Sequence, residues 1–335
     1  MKTNAWYLRA PWEFERREIE LPDIPPAGQI LLRVEACGIC GTDFSAAEKA
    51  GKWEPFGHEI AGVIEAVGAG TDPLSVGQRV VLETSSFLAH STESRNGRVD
   101  LCNKAPQFWG NAAMGFSERM LAPAVCAVPY ENLTPEVACL TEPAGVACDM
   151  VKTAAVQLGD RVALIGPGPI ALLAIPLLLR TGAREVVCIG RSSNKRRLEI
   201  AATLGAKTLV VDGPLNEVPE LRRQFAHALV TAPVDVIPPA LELLRYGGAL
   251  TYIGIGTGSS LIQFDANDFH FRKLQLRASF ASPALYFPLV LDLLRDGILP
   301  GEALISHRFP LAKLADAMEL GRANKAETVK IVVQP

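Results

Sequence analysis

A cysteine, a histidine and two glutamates have the side-chain types that bind zinc. They are Cys40, His58, Glu59 and Glu142. Catalytic zinc sites combine three such ligands with one open position. Cys40, His58 and Glu142 each stand beside a glycine or proline, which is typical of strand ends and turns. Spacing alone is a weak signal, and ordinary core packing is the alternative. The pattern predicts a metal site in which either glutamate is the third ligand.

A glycine-rich turn in the middle of the chain has the form G-x-G-x-x-A. Its residues Gly166, Gly168, Pro169 and Ile170 follow a predicted strand, residues 161–165, and open a predicted apolar helix. Glycines let the backbone approach a pyrophosphate closely, and the helix N-terminus supplies free N–H groups. A tight turn without a ligand is the alternative. The context predicts a dinucleotide site.

The residues after the second strand of this region bear on the type of dinucleotide. NAD sites carry an acid about 20 residues beyond the turn, but Gly190 stands there. The residues that follow include Arg191, Ser192, Lys195 and Arg196, which suit a 2′-phosphate. An ordinary solvated helix start is the alternative. We expect NADP(H) to be favoured, with NAD(H) possible.

The surrounding pattern changes from strands to alternating strands and helices near residue 151. Before it, short strands such as residues 29–36, 59–67 and 79–82 suggest a β barrel. After it, alternation predicts a doubly wound parallel sheet, hence an α/β fold. Further expected elements are strands at 161–165, 185–189, 208–211, 228–231, 249–253 and 329–333, helices at 194–204, 234–245, 287–296 and 312–322, and a long loop at 84–115.

Composition excludes several classes of protein. The 335 residues carry a net charge of −3 and are 49% hydrophobic, which argues against disorder and against partners such as nucleic acid or an anionic membrane. Seven cysteines favour reduced thiols in a cytoplasmic protein. The charged N-terminal segment does not resemble a secretion signal. The uncharged run 162–179 contains prolines and glycines, and is expected to form a buried strand, turn and helix.

The chain resembles the zinc-dependent medium-chain dehydrogenase/reductase family, which includes alcohol, sorbitol and threonine dehydrogenases. The matching segments are residues 38–43, 57–59, 68–70, 76–80, 142–143, the turn at 166 and 330–333, in the family's order. The resemblance implies a GroES-like β-barrel catalytic domain made of residues 1–149 and 286–335. It also implies a Rossmann domain at 150–285 and a catalytic zinc in the cleft between the domains.

The resemblance also implies roles for individual residues. Cys40 and His58 match two zinc ligands, Glu59 matches a residue that enters and leaves the coordination shell, and Glu142 matches a carboxylate typical of polyol and threonine dehydrogenases. Thr42 matches the hydroxyl that contacts the substrate oxygen and starts the proton relay. Ser45 stands where the family often has histidine, so the usual relay path is in doubt.

A second departure concerns the structural zinc of the family. Its four cysteines have the spacing C-x2-C-x2-C-x7-C, but here the positions hold Leu88, Ser91, Ser94 and Cys102. One catalytic zinc and no structural zinc are therefore expected. Cys37 and Cys40 form a C-x-x-C pair, and a redox role for it is the alternative.

The expected reaction is the reversible oxidation of a secondary alcohol to a ketone. A polyol or sugar is favoured as the small-molecule substrate, and a threonine-type amino alcohol is the nearest competitor. The sequence also leaves open a zinc-free enone or quinone reductase of the same fold and a non-catalytic nucleotide-binding protein. The oligomeric states common in the family predict a homodimer or homotetramer, with residues 249–253 as the strand that continues the sheet between subunits.

Overall fold

A computed structural model describes residues 1–102, 104, 106–254 and 260–335. The described chain divides into two units, and the first is formed from both ends of the sequence. The first unit comprises Met1–Gly145, Ala281–Asn324 and Thr328–Pro335, and the second comprises Val146–Phe280 and Lys325–Glu327. The domain boundaries expected from the resemblance, after residues 149 and 285, stay predictions at the level of single residues.

The strands and helices of the two units have the following bounds. The strands are β1 (Lys2–Arg9), β2 (Glu13–Glu20), β3 (Gln29–Gly38), β4 (Glu54–Pro55), β5 (Glu59–Val67), β6 (Arg79–Leu82), β7 (Arg119–Pro123), β8 (Ala127–Pro129), β9 (Arg161–Ile165), β10 (Glu185–Gly190), β11 (Lys207–Val210), β12 (Phe225–Val230), β13 (Leu244–Tyr252), β14 (Gln275–Ala278), β15 (Ile305–Pro310) and β16 (Lys330–Gln334). The helices are α1 (Gly41–Lys49), α2 (Thr92–Arg95), α3 (Pro135–Ala138), α4 (Thr141–Ala154), α5 (Pro169–Arg180), α6 (Lys195–Thr203), α7 (Ile237–Leu241), α8 (Ala266–Phe271), α9 (Phe287–Arg295), α10 (Gly301–Leu304) and α11 (Leu314–Ala323).

The first unit is built on a mostly antiparallel sheet. Its seven strands include the path β15-β16-β3-β5-β6-β8, and β7 pairs with β3. A smaller sheet has the order β2-β1-β4. Side chains that alternate along β3 and β5, such as Ile30, Leu32, Ile60 and Ile64, are buried in one apolar cluster. The predicted GroES-like β domain is confirmed.

The second unit contains a six-stranded parallel sheet with the order β11-β10-β9-β12-β13-β14. This is the doubly wound arrangement of a dinucleotide-binding fold, so the predicted fold class is confirmed. The uncharged run 162–179 is divided between β9, a turn and α5, and α5 continues through Pro176. At 1.5 Å per residue α5 is only about 18 Å long. Among the described residues, no helix is long and apolar enough to cross a membrane.

Several expectations about local structure are wrong. The helix expected at 234–245 is shorter, because a 3-10 turn (Val234–Val236) leads into α7 and β13 already begins at Leu244. A short apolar run does not distinguish a helix from a buried strand. The loop expected at 84–115 contains the short helix α2. The strand at 249–253, expected to continue the sheet between subunits, corresponds to the end of β13, which lies inside the sheet between β12 and the edge strand β14.

A buried carboxylate joins three elements at the amino-terminal end of the parallel sheet. Asp160 precedes β9 and accepts hydrogen bonds from the backbone N–H of Gln157 (2.9 Å) and from Arg245 Nη2 (3.0 Å), and its Oδ2 lies 3.1 Å from His227 Nε2. Burial lowers the pKa of His227, although the Asp160 charge opposes this effect. Asp160 therefore acts as the shared acceptor for the loop before β9, for β12 and for β13.

We expect Asp160→Ala to lower the free energy of unfolding by roughly 1–3 kcal/mol, because it leaves the buried His227 without its carboxylate partner and the loop before β9 without its acceptor. Urea denaturation followed by circular dichroism measures the change. The matched control is Asp235→Ala, which removes an exposed aspartate of the same unit. Equal stability of the two variants would show that the Asp160 contacts contribute nothing.

Candidate metal and cofactor sites

Three of the four predicted zinc ligands lie together in the first unit. The ligand atoms of Cys40, His58 and Glu59 are all within 4.8 Å of one another. Cys40 is the N-cap residue of α1, directly after β3, and His58 and Glu59 stand at the start of β5. Because β3 and β5 are antiparallel neighbours, the end of one meets the start of the other. Thiol, imidazole and carboxylate groups form a donor set that fits zinc.

Two glycines make this arrangement sterically possible. Gly57, before His58, has a φ of +92°, and a Cβ there would lie 2.6 Å from the Phe116 ring. Gly38 pairs with Glu59 across the sheet, and a Cβ at Gly38 would lie 1.9 Å from Glu59 Oε2. Both positions therefore require glycine, one for its backbone conformation and both for space.

Asp43 supports both Cys40 and His58 from the first turn of α1. Its Oδ2 accepts a hydrogen bond from the Cys40 N–H (2.8 Å), and its Oδ1 lies 3.8 Å from His58 Nδ1. Burial raises the pKa of Asp43, while the charge of His58 and the Cys40 N–H oppose that rise. At 3.8 Å the carboxylate is too far from His58 Nδ1 for a hydrogen bond, but their charges interact. Through its contact with the Cys40 N–H, Asp43 holds the turn that carries Cys40.

The electrostatic surroundings of His58 favour a cation. Burial by itself lowers the pKa of His58, but the Cys40 sulfur and the carboxylates of Glu142 and Asp43 raise it, and the net shift is well above the ordinary value. Those three groups supply the negative charge of the site. In the absence of a metal, a proton on His58 is the cation that this charge attracts.

Glu59 is held by a lysine that was not predicted as its partner. Lys330 Nζ lies 2.5 Å from Glu59 Oε1 and 2.7 Å from Oε2, and it donates a third hydrogen bond to the Ile39 carbonyl (3.0 Å). Both side chains are buried, with exposures of 1% for Glu59 and 3% for Lys330. A single lysine in the apolar segment 329–333 was the available signal, since buried lysines need a partner.

Glu142 lies outside the group of ligand atoms that are mutually within 4.8 Å. It was expected at a strand end or turn, but it stands in the first turn of α4. Burial raises the pKa of Glu142 to about 7, and the charge of His58 opposes this shift. Within the described part of the chain, no hydrogen bond or ion pair involves its carboxylate. Glu142 is close enough to His58 for their charges to interact.

Two further side chains stand beside these ligands. Thr42 is exposed in the first turn of α1, two residues after Cys40. The Trp109 ring centroid lies 5.3 Å from that of His58, and Trp109 stays 47% exposed while the Phe108 ring stacks behind it. Trp109 was not predicted as a site residue, because it lies in a segment without recognisable periodicity.

The segment in which the resemblance places a structural-zinc motif is held by other contacts here. The Leu88 N–H donates to Cys102 Sγ (3.3 Å), and Ser91 Oγ donates to Ser94 Oγ (3.0 Å). The four positions of the expected cysteine motif thus remain near one another in pairs, but only Cys102 offers a thiol. All seven cysteines are free thiols.

The glycine-rich turn has the conformation that a pyrophosphate site needs. Gly166 has a φ of +93°, and a Cβ there would lie 3.0 Å from the Ala232 nitrogen. Gly168 is the N-cap residue of α5 and Pro169 opens the helix, as predicted. The first intrahelical bond joins the Leu172 N–H to the Gly168 carbonyl (3.0 Å). The earlier N–H group of Ile170 therefore has no intrahelical acceptor and is available to an anion at the helix end.

The carboxyl end of β10 explains why no acid stands at position 190. A Cβ on Gly190 would lie 2.8 Å from the Pro167 ring, so the glycine-rich turn occupies the space of a side chain. Arg191 and Lys195 are exposed beyond it. Arg196 donates to the Glu327 carbonyl (2.8 Å) and to its carboxylate (3.3 Å). The predicted basic cluster is therefore only partly available to a ligand.

Comparisons with known proteins agree with this arrangement of sites. The family profile "Alcohol dehydrogenase GroES-like domain" matches residues 26–136, and the profile "Zinc-binding dehydrogenase" matches residues 169–296. L-galactonate-5-dehydrogenase of Escherichia coli K12 is 28% identical over 98% of both chains. Sorbitol dehydrogenase of Bacillus subtilis is 27% identical over 98% of this chain and 97% of its own.

A solved structure is similar to this chain over nearly its whole length. The alcohol dehydrogenase rspB of E. coli CFT073, complexed with NADH, superposes with a TM-score of 0.88 at 26% identity, covering 100% of this chain and 99% of that one. The two profiles together cover residues of both units, and each relative and the solved structure align with nearly the whole chain. The chain therefore belongs to the zinc-type medium-chain alcohol and polyol dehydrogenases, which interconvert alcohols and ketones.

Proposed function

We propose that this dehydrogenase holds one catalytic zinc and transfers a hydride between a polyol or sugar-like secondary alcohol and NADP(H). The observation that carries the proposal is that Cys40 and His58 lie together in a group whose ligand atoms are within 4.8 Å of one another, with Glu142 close enough to His58 for their charges to interact. The zinc-free reductase would have no use for such a donor set. A protein that only binds nucleotides would have no use for it either.

We propose Cys40, His58 and Glu142 as the three protein ligands. Glu59 lies within the group, but Lys330 binds both of its carboxylate oxygens. Glu142 has no hydrogen-bond or ion-pair partner among the described residues, so its carboxylate is available to a cation. Glu59 can act as a ligand only after an oxygen leaves Lys330, which agrees with an occasional role in the coordination shell.

The residues around the donor set have distinct tasks in the proposed reaction. When bound, zinc supplies Lewis acidity that lowers the pKa of a substrate hydroxyl. The exposed Thr42 hydroxyl accepts the substrate proton and passes it to solvent. Ser45 does not extend this path, because its hydroxyl donates to the Gly41 carbonyl (3.3 Å). The Asp43 carboxylate lies 3.8 Å from His58 Nδ1 and adds negative charge beside the ring.

The substrate class rests on Trp109 and on the relatives. A half-exposed indole face beside His58 suits the C–H face of a polyhydroxylated chain, and its ring is held by Phe108. The relatives are named for an acid derived from a sugar, L-galactonate, and for the polyol sorbitol. A panel of polyols, sugar acids and amino alcohols with saturating cofactor would identify the substrate.

The cofactor preference rests on the residues after β10. Gly190 has no room for the acid that binds a ribose 2′-OH, and Arg191 and Lys195 present two exposed cations. The relative rspB was solved with NADH, so the family does not decide the matter. The homodimer or homotetramer and the cytoplasmic location expected from the sequence stay predictions.

We expect the purified protein to hold one zinc per chain, and we expect Cys40→Ser and Glu142→Gln to lower zinc affinity by more than about tenfold. Glu59→Gln should keep the zinc but lower the free energy of unfolding by about 3–5 kcal/mol, because Lys330 is left as an unpaired buried charge. Metal analysis and competition with a chelator measure the first effect, and urea denaturation measures the second.

Glu48→Gln is the matched control, since Glu48 is exposed on α1. Retained NADPH binding shows that the ligand variants are folded. Loss of zinc from Glu59→Gln, with zinc retained by Glu142→Gln, would contradict the ligand assignment. Retained turnover in zinc-free Cys40→Ser would refute the zinc-dependent function itself.

We expect kcat/KM to be higher with NADP than with NAD. Arg191→Ala should reduce the ratio of the NADP value to the NAD value by about tenfold, because a charge-assisted contact to the 2′-phosphate is lost. Steady-state kinetics with both cofactors measure the ratio. Arg180→Ala serves as the control, since it removes an exposed cation from the opposite end of α5. Equal kcat/KM with the two cofactors, or a preference for NAD, would overturn the NADP(H) proposal.

A further inference from the structure

A carboxylate just beyond β11, the strand next to β10, occupies the donors that a cofactor phosphate would use. Asp212 Oδ1 accepts hydrogen bonds from the Ser192 backbone N–H (2.9 Å) and from the Ser192 hydroxyl (3.0 Å). Both residues are exposed, so neither contact is needed to satisfy a buried group. The two donors converge on one oxygen, as they would on the oxygen of a phosphate.

The position of Asp212 in the sheet places it at the cofactor's ribose. β10 and β11 are parallel neighbours, and the Val211 N–H donates to the Gly190 carbonyl (2.9 Å). Asp212 therefore follows β11 at the same edge at which β10 ends. In doubly wound sheets of this strand order, the group at the ribose 2′ position is bound beyond the second strand, which is β10 here.

This edge of the sheet carries both positively and negatively charged side chains. Arg191 and Lys195 are exposed cations on the segment that carries Ser192. Arg196 is already bound to Glu327, so part of the positive charge is neutralised. The Asp212 carboxylate adds a negative charge in contact with Ser192, where a 2′-phosphate would also be negative. The same edge thus contains groups that attract a phosphate and one that repels it.

We propose that Asp212 is a specificity-determining residue that competes with a 2′-phosphate for the two donors of Ser192. It lowers affinity for the phosphorylated cofactor without affecting a ribose 2′-OH, and so it limits the preference for NADP(H) that Arg191 and Lys195 provide. The inference rests on the proposed function, in that the dinucleotide must bind at the Gly166 turn. It adds to that function a residue that opposes the basic cluster.

Asp212→Asn removes the negative charge of the side chain and keeps its shape. An asparagine side-chain oxygen can still accept both Ser192 hydrogen bonds, so the loop keeps its support while the negative charge is removed. A unit charge at contact distance in water changes binding by about five- to tenfold. The effect should decrease as salt is added, because exposed charges are screened.

The experiment is isothermal titration calorimetry of the full-length protein at low ionic strength with adenosine 2′,5′-bisphosphate and with AMP. For Asp212→Asn we expect the dissociation constant of the bisphosphate to fall by about five- to tenfold and that of AMP to stay unchanged. Asp72→Asn, an exposed aspartate of the other unit, controls for total charge. An unchanged bisphosphate affinity would overturn the proposal. Weaker AMP binding would overturn it too, since Asp212 would then be a direct ligand of the ribose.

Arg191→Ala distinguishes failure of this inference from failure of the proposed cofactor. If the wild type prefers the bisphosphate and Arg191→Ala removes that preference while Asp212→Asn has no effect, only the role of Asp212 is refuted. If neither the wild type nor Asp212→Asn prefers the bisphosphate, the NADP(H) proposal fails and this inference fails with it. If only Asp212→Asn prefers the bisphosphate, the inference is supported and the wild type uses NAD(H).

Discussion

The register between β3 and β5 is the constraint on which the candidate active site depends. It sets Gly38 opposite Glu59, and the lack of a side chain at Gly38 leaves space for the Glu59 carboxylate. A slip of one residue would turn every side chain of β5 to the other face of the sheet. Glu59 would then lose Lys330, and His58 would no longer face Cys40. The metal donor set is thus a consequence of strand pairing.

The ion pair between Glu59 and Lys330 extends this constraint to the end of the chain. The two residues are 271 positions apart, and the lysine comes from β16, which pairs with β3. A buried ion pair of this kind gives little net stability but strongly penalises the loss of one partner. It therefore favours the one arrangement in which β16 completes the sheet beside the site, and it keeps the Glu59 carboxylate oriented.

The sequence predicts the local elements well where one physical rule dominates. β5, β6 and β9 have the bounds expected from their apolar runs, and Pro169 opens its helix as expected. Prediction fails where tertiary contacts decide, as in the early start of β13 and in the edge position of β14. It also fails for partners that lie on distant segments, because no spacing rule links Glu59 with Lys330.

At the cofactor site, too, the sequence predicts the local feature but not the tertiary contacts around it. The missing acid at Gly190 is visible in the sequence, and it suggests a cofactor with a 2′-phosphate. Its cause is visible only in the structure, where the Pro167 ring fills the space that a side chain would need. An acid does stand nearby, but it is Asp212, which follows the adjacent strand β11, and it contacts Ser192. Because a parallel sheet brings the ends of β10 and β11 together, the residues that follow both strands lie at one edge. The proposed effect of Asp212 on cofactor preference therefore comes from the end of a neighbouring strand and not from position 190.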